Sequence, residues 1–77
     1  MTTPPSYSGV IYFDDAGELV EVAPGLGPVW IVGRRNPRTG GHRCIKSKAL
    51  PPRRTPQEAQ RDLDRYAAAK HWHEIPF

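Results

Sequence analysis

Short runs of β-branched and aromatic residues alternate with turn-forming residues along the first half of the chain. The runs at 9–13 (Gly-Val-Ile-Tyr-Phe) and 18–22 (Glu-Leu-Val-Glu-Val) have the composition of strands in a half-buried sheet. Between them, at 14–17, lies Asp-Asp-Ala-Gly, in which Asp can bond nearby backbone and Gly can adopt positive φ. The pattern therefore predicts a β-hairpin. A third strand is expected at 29–35, after prolines and glycines interrupt the pattern at 24–28.

A fourth strand is expected at 42–49, after a second turn at 36–41 (Asn-Pro-Arg-Thr-Gly-Gly). Alternation would place one set of side chains on one face (Arg43, Ile45, Ser47, Ala49) and the other set on the opposite face (His42, Cys44, Lys46, Lys48). Because the lysines favour water, we expect Ile45 and Ala49 to turn inward. The sequence Leu-Pro-Pro at 50–52 ends this strand, since proline cannot donate to a ladder.

The clearest local signal is the start of a helix at residue 56. Thr55 is a favourable N-cap, Pro56 suits the first helical position, and Glu58 completes a capping box. The helix should run to about Lys70. Its apolar stripe can lie on a sheet and consists of Ala59, Leu63, Tyr66 and Ala67.

These elements predict an α+β fold, with an antiparallel sheet of three or four strands packed against one C-terminal helix. The helical stripe should face six sheet residues, namely Val10, Tyr12, Val20, Val22, Trp30 and Val32. Residues 1–6 are expected to form a flexible tail, and residues 7–77 a single small domain. At the far end of the chain, Trp72, Ile75 and Phe77 are expected to fold back over the sheet edge.

The positive charge of the chain is concentrated in one segment. Of eleven Lys and Arg residues, eight lie within 34–54, and no acidic residue lies between Glu21 and Glu58. The eight are Arg34, Arg35, Arg38, Arg43, Lys46, Lys48, Arg53 and Arg54. Such a block repels itself, and an anionic partner would relieve the repulsion. We expect a binding surface here if these side chains share one side and escape neutralisation by the protein's own carboxylates; a merely solvated face is the alternative.

Size and composition argue against catalysis and against a membrane protein. With 77 residues the core is thin, and the sequence has no phosphate-binding glycine loop and no evident nucleophile–base arrangement. We therefore expect a non-enzymatic protein without a cofactor. The lone Cys44 fits a reducing compartment, and the longest apolar run, 29–32, is far too short to span a bilayer. We expect a cytoplasmic protein with no membrane partner.

A metal site is a further alternative. His42 and Cys44 are two positions apart, as are His71 and His73, so on extended strands each pair would point to one side. Four such ligands could close a tetrahedral zinc site, although the spacing matches no common zinc motif. The sequence alone does not decide whether these residues bind metal.

The region 28–70 resembles the DNA-binding domain that opens many tyrosine integrases, and it is similar to the plant ethylene-response DNA-binding domain. The resemblance lies in strands around Trp30, a basic turn, and Thr-Pro-Gln-Glu-Ala at 55–59 with Leu63 and Tyr66. In those families a three-stranded sheet lies in the major groove and a helix braces it from behind. The resemblance therefore implies nucleic-acid binding, for which the planar fork of arginine is well suited.

A second resemblance is to small orphan proteins of phages and prophages, some of which are anti-CRISPR proteins. It lies in Lys-Ser-Lys-Ala-Leu-Pro at 46–51, Thr55, and the helical segments 58–60, 62–64 and 66–67. It implies a phage-encoded inhibitor in the host cytoplasm that contacts a defence effector directly. The expected partner is thus nucleic acid or an acidic surface of a host nucleic-acid-handling protein. A homo-oligomeric accessory protein that associates through an exposed sheet edge is a third interpretation.

Overall fold

The structure is a computed structural model that describes residue 7 and residues 9–75. The predicted tail at 1–6 and Phe77 lie outside the described residues. The elements, in chain order, are β1 (Tyr12–Phe13), β2 (Leu19–Pro24), β3 (Trp30–Arg35), β4 (His42–Cys44), α1 (Pro56–Lys70) and β5 (His73–Glu74). They form an antiparallel sheet of order β4-β3-β2-β1-β5 with α1 on one face. The α+β prediction is confirmed, with one strand more than expected.

The core lies between α1 and the centre of the sheet. The predicted helical stripe is confirmed for Ala59, Leu63 and Ala67, which are buried against Val20 and Val32 and their sheet neighbours Tyr12 and Val22. Val10, Trp30 and Tyr66 are only partly buried and pack around this cluster. Leu50 and Gln60 are also buried, although the sequence pattern did not place either of them in the core.

The predicted β1–β2 hairpin is confirmed together with the chemistry of its turn. The carboxylate of Asp14 accepts hydrogen bonds from the backbone N–H groups of Ala16 and Glu18, each at 2.9 Å. Gly17 follows at a φ of 78°, a conformation that a residue with a Cβ rarely adopts. The turn therefore fixes the register in which Tyr12 lies opposite Val20.

The fourth strand is shorter than predicted and ends at Cys44 instead of continuing to residue 49. One more bond, from the Ile45 N–H to the Val32 carbonyl, follows the strand. The hydroxyl of Ser47 then accepts a hydrogen bond from the Ala49 N–H, and the resulting turn directs Leu50 into the core. Burial of Leu50 therefore outweighs the strand pattern of 45–49, and Ala49 is exposed instead of facing inward.

The chain next returns to the edge of β3. Trp30 and Arg53 exchange two backbone hydrogen bonds, at 2.6 and 2.9 Å, on the same edge of β3 that carries β4 further along. The segment 45–52 is therefore a loop anchored to β3 at both ends. We refer to it as the anchored loop; it lies between the sheet edge and α1.

The end of the described chain forms β5, a strand that the sequence left ambiguous between strand and coil. β5 pairs with β1, and the Ile75 N–H donates to the Ile11 carbonyl. Trp72 packs against the core cluster. The expectation of folding back onto the sheet edge is therefore confirmed for Ile75, whereas the Trp72 ring contacts Tyr66 of α1.

Candidate functional site

Two grooves meet at Tyr66 on the side of the sheet that carries α1. The first groove, of about 420 Å³, is lined by Arg34, Arg43, Lys46 and Tyr66 together with Cys44, Ile45 and Ser47. The second groove, also of about 420 Å³, is lined by Lys48, Arg53, Arg65 and Tyr66 together with Ala49, Pro51, Asp62 and Ala69. The anchored loop contributes to both. We refer to them together as the basic grooves.

Sheet register explains why Arg34 and Arg43 share the first groove. Arg34 lies opposite Val20 on β2 and opposite Arg43 on β4. Directly opposed residues project from the same face, so both arginines lie on the face of the buried Val20, which is the α1 side. Like charges directly opposed on a sheet repel. The side chains are nevertheless 37% and 73% exposed, which keeps part of each in water.

Carboxylates of the β1–β2 hairpin offset this repulsion. Arg34 Nε lies 3.4 Å from Asp14 Oδ2, within ion-pair distance but without a hydrogen bond. Arg43 Nη2 lies 3.2 and 3.4 Å from the two carboxylate oxygens of Glu18. The acidic residues of the first third of the chain thus neutralise part of the basic segment.

Arg53 is paired within the second groove. Its Nε and Nη2 donate to the two carboxylate oxygens of Asp62 at 2.7 and 3.3 Å. These hydrogen bonds, and then the charge of Asp62, raise the pKa of Arg53 above its ordinary value. The pair joins the segment before α1 to the middle of that helix, and it holds one wall of the second groove in place.

Three of the eight predicted side chains lie outside the basic grooves. Arg35 follows Arg34 on β3 and therefore projects from the opposite face, where its Nε lies 3.7 Å from Glu21. Arg38 is exposed in the turn at 37–39, beside the β1–β2 turn. Arg54 is exposed just before the N-cap of α1. The eight residues therefore do not form one continuous surface, although five of them converge.

The charge of the basic segment is thus half compensated. Four of its arginines form ion pairs with carboxylates of the chain, and these are Arg34, Arg35, Arg43 and Arg53. Within the described part of the chain, Lys46 and Lys48 in the grooves form no such pair. The same holds for Arg38 and Arg54, which lie elsewhere.

The helix supplies three further residues at the grooves that the sequence pattern did not include in the predicted binding surface. Arg65 lines the second groove, and Tyr66 lies between the two grooves. The Lys70 ammonium lies 5.6 Å from the centroid of the Tyr66 ring. Helical spacing could have revealed this set, because Arg65 and Tyr66 share one side of the helix with positions 62 and 69, and Lys70 lies one turn after Tyr66. Tyr66 was instead read as core, and it is only partly buried.

The hypothesis of a four-ligand zinc site is wrong for the residues that it named. His42 and Cys44 lie on β4 and His73 on β5, which are the two outer strands of the sheet. Four strand spacings separate them, about 19 Å, whereas ligands must lie within about 2 Å of a shared zinc ion. No cluster of metal-ligating side chains occurs in the described ranges, 7 and 9–75.

The grooves combine arginines held by ion pairs with lysines that are unpaired among the described residues, all around the ring of Tyr66. Such a cluster of cations is suited to binding an anion.

No helix among the residues that the structure describes is both long and apolar enough to cross a membrane. Comparisons with protein families, with curated proteins and with solved structures find no match to this chain. The resemblances to integrase DNA-binding domains and to phage orphan proteins therefore stay predictions from the sequence.

Proposed function

We propose that this protein binds nucleic acid by holding its sugar–phosphate backbone in the basic grooves. The observation that carries the proposal is the convergence of Lys46, Lys48 and Arg65 around Tyr66, in grooves that the anchored loop helps to line. No described carboxylate pairs with these three cations. They are therefore available to phosphate oxygens without first breaking a contact within the protein.

The paired arginines of the grooves can contribute as well. Arg34, Arg43 and Arg53 keep 37%, 73% and 40% of their side chains exposed. Each guanidinium is paired through Nε, Nη2 or both with a carboxylate that is itself only 3%, 17% or 11% exposed, and its other N–H groups need not leave that partner to meet a ligand. A phosphate can thus recruit the free N–H groups of these guanidinium groups at little cost, and a planar guanidinium binds phosphate through two parallel bonds.

This mode differs from the docking seen in the integrase-type domains, in which the sheet face away from the helix enters the major groove. Here that face carries apolar side chains, among them Phe13, Leu19 and Ile31, by alternation with the buried positions. Its arginine, Arg35, is paired with Glu21. The phosphate contacts that we propose lie on the helix side instead.

Salt dependence of binding tests the proposal. Each phosphate contact should contribute about −0.9 to the slope of log affinity against log salt on duplex DNA and about −0.7 on a single strand. Replacing two groove lysines (Lys46→Gln with Lys48→Gln) should therefore make the slope shallower by about 1.4 to 1.8, with weaker binding of every sequence. Fluorescence anisotropy with labelled oligonucleotides at several salt concentrations measures both quantities.

The matched control removes the same amount of charge outside the grooves (Arg35→Gln with Arg38→Gln). It should leave the slope unchanged. Equal effects of the two double variants would contradict binding in the grooves, and a flat salt response of the wild type would contradict nucleic-acid binding altogether.

A pull-down from host lysate separates this function from recognition of an acidic protein surface. The nucleic-acid function predicts that captured material is lost after nuclease treatment. A protein partner that survives nuclease and is lost in the groove double variant would instead assign the grooves to direct contact with a protein.

A further inference from the structure

Tyr66 is the one aromatic side chain that lines both basic grooves within the described residues. Its backbone is held by α1, whose neighbouring residues Leu63 and Ala67 are buried in the core. Its ring packs edge-to-face against Trp72, with the centroids 5.3 Å apart and the planes at 61°. The ring is therefore fixed in position before any ligand arrives, so that little side-chain entropy is lost on binding.

A flexible cation lies over one face of this ring. The Lys70 ammonium lies 5.6 Å from the ring centroid, and Lys70 is exposed in the last turn of α1. A cation over a partly exposed ring is bound weakly, whereas stacking of a nucleobase on an aromatic ring is stronger. A base can therefore displace the ammonium, which is then free to pair with the phosphate of the same nucleotide.

We propose that the basic grooves take single-stranded nucleic acid, with one base stacked on Tyr66 and the flanking phosphates held by Lys46 on one side and Lys48 and Arg65 on the other. This inference rests on the proposed function and names its substrate class. In a duplex the base faces are already stacked on one another and cannot reach the ring, whereas the bases of a single strand are available. Alternation of an aromatic platform with backbone-binding cations is the arrangement that single-strand binders use.

An abasic oligonucleotide separates stacking from charge. A single strand with bases and a strand of the same length and charge without bases should differ about tenfold in affinity for the wild type, because only the former can stack. Tyr66→Leu should remove that difference and leave the affinity for the abasic strand unchanged. Tyr66→Phe keeps the ring and should preserve the difference. Fluorescence anisotropy at one low salt concentration gives all the affinities.

Phe13→Leu is the matched control, because Phe13 is 40% exposed on the opposite face of the sheet. It should behave as the wild type. The ratio of affinities for the two strands is measured within each variant, so partial unfolding of Tyr66→Leu would lower both affinities without changing their ratio.

The experiments distinguish failure of the single-strand assignment from failure of the proposed function. The single-strand assignment would be overturned if the wild type bound the two strands equally, or bound a duplex more tightly than the base-containing strand. In either case, salt-dependent binding would still support the proposed function. Absence of salt-dependent binding to any of the three would overturn both.

Discussion

At the scale of single residues, Asp64 joins the helix to the sheet. Its Oδ1 accepts hydrogen bonds from the Tyr12 hydroxyl at 2.7 Å and from the Gln60 Nε2 at 2.9 Å. Gln60 is buried, and its Nε2 also donates to the Val10 carbonyl at 3.1 Å. Because two buried side chains depend on one carboxylate oxygen, this contact helps to set how α1 lies across β1.

The Tyr12 contact predicts a loss of stability at high pH. Burial, and then the hydrogen bond to Asp64, raise the pKa of Tyr12 above its ordinary value of 10.0. The folded protein thus binds the phenolic proton more tightly than the unfolded chain does. This contribution to the free energy of unfolding is complete below pH 10 and is lost as the pH rises above it.

Urea denaturation at pH 9 and pH 11 measures the effect. The wild type should lose about 1 kcal/mol more than Tyr12→Phe between these pH values, because the variant has no proton to release there. An equal loss in the two proteins would show that the Tyr12 proton is not linked to folding.

At the scale of elements, the ends of α1 show how far local sequence determines structure. The Thr55 hydroxyl accepts the Glu58 N–H at 3.3 Å and lies 3.0 Å from the Glu58 carboxylate. The helix ends at His71, which adopts a left-handed conformation with φ of 60°. The start was predictable from three neighbouring residues, whereas a histidine at the left-handed position carries no comparable signal, since glycine is usual there.

Removal of the N-cap should weaken the whole fold. Thr55→Ala is expected to lower the free energy of unfolding by about 1 kcal/mol, because the Glu58 N–H loses its acceptor. Thr55→Ser keeps the oxygen and should stay close to the wild type in the same thermal or urea denaturation. Equal destabilisation by Ser and Ala would assign the effect to the lost methyl group instead of the cap.

Predictability differed among the strands for a physical reason. The β1–β2 hairpin and β3 follow from local composition and from turn residues such as Asp14 and Gly17. The early end of β4 depends on where Leu50 is buried, and β5 depends on an edge that only β1 provides. Because these requirements come from contacts with distant residues, the sequence of the strand itself shows no pattern that would reveal them.

At the scale of the whole molecule, the candidate site could likewise be predicted only in part from the sequence, because its assembly depends on contacts between distant residues. The excess of basic residues was visible in the sequence, and five of the eight do converge. The grouping of Arg34 with Arg43 on one face was not predicted, because the register that puts them opposite each other is set by pairing across three strands. Neutralisation of Arg34 and Arg43 depends on folding of the acidic hairpin against them.

The β1–β5 pairing predicts a sharp difference between two neighbouring proline substitutions. The bond from Ile75 to Ile11 implies, by alternation, that the His73 N–H also points at β1 and that the Glu74 N–H points away. His73→Pro removes the donor to the Phe13 carbonyl, loosens the pair, and should lower the hydrogen-exchange protection of the Phe13 amide, which pairs with the carbonyl of residue 73, whereas Glu74→Pro should retain that protection. The Val32 amide, at the centre of the sheet, should stay protected in both; equal effects at Phe13 would contradict the register.

The same pairing has a consequence for how the protein is made. β1 and β5 lie near opposite ends of the described chain, yet they are hydrogen-bonded neighbours. During translation β1 can pair early with β2, but its second edge has no partner until almost all of the described chain has left the ribosome. A nascent chain therefore carries an open strand edge until β5 emerges, and such an edge can associate wrongly with another strand.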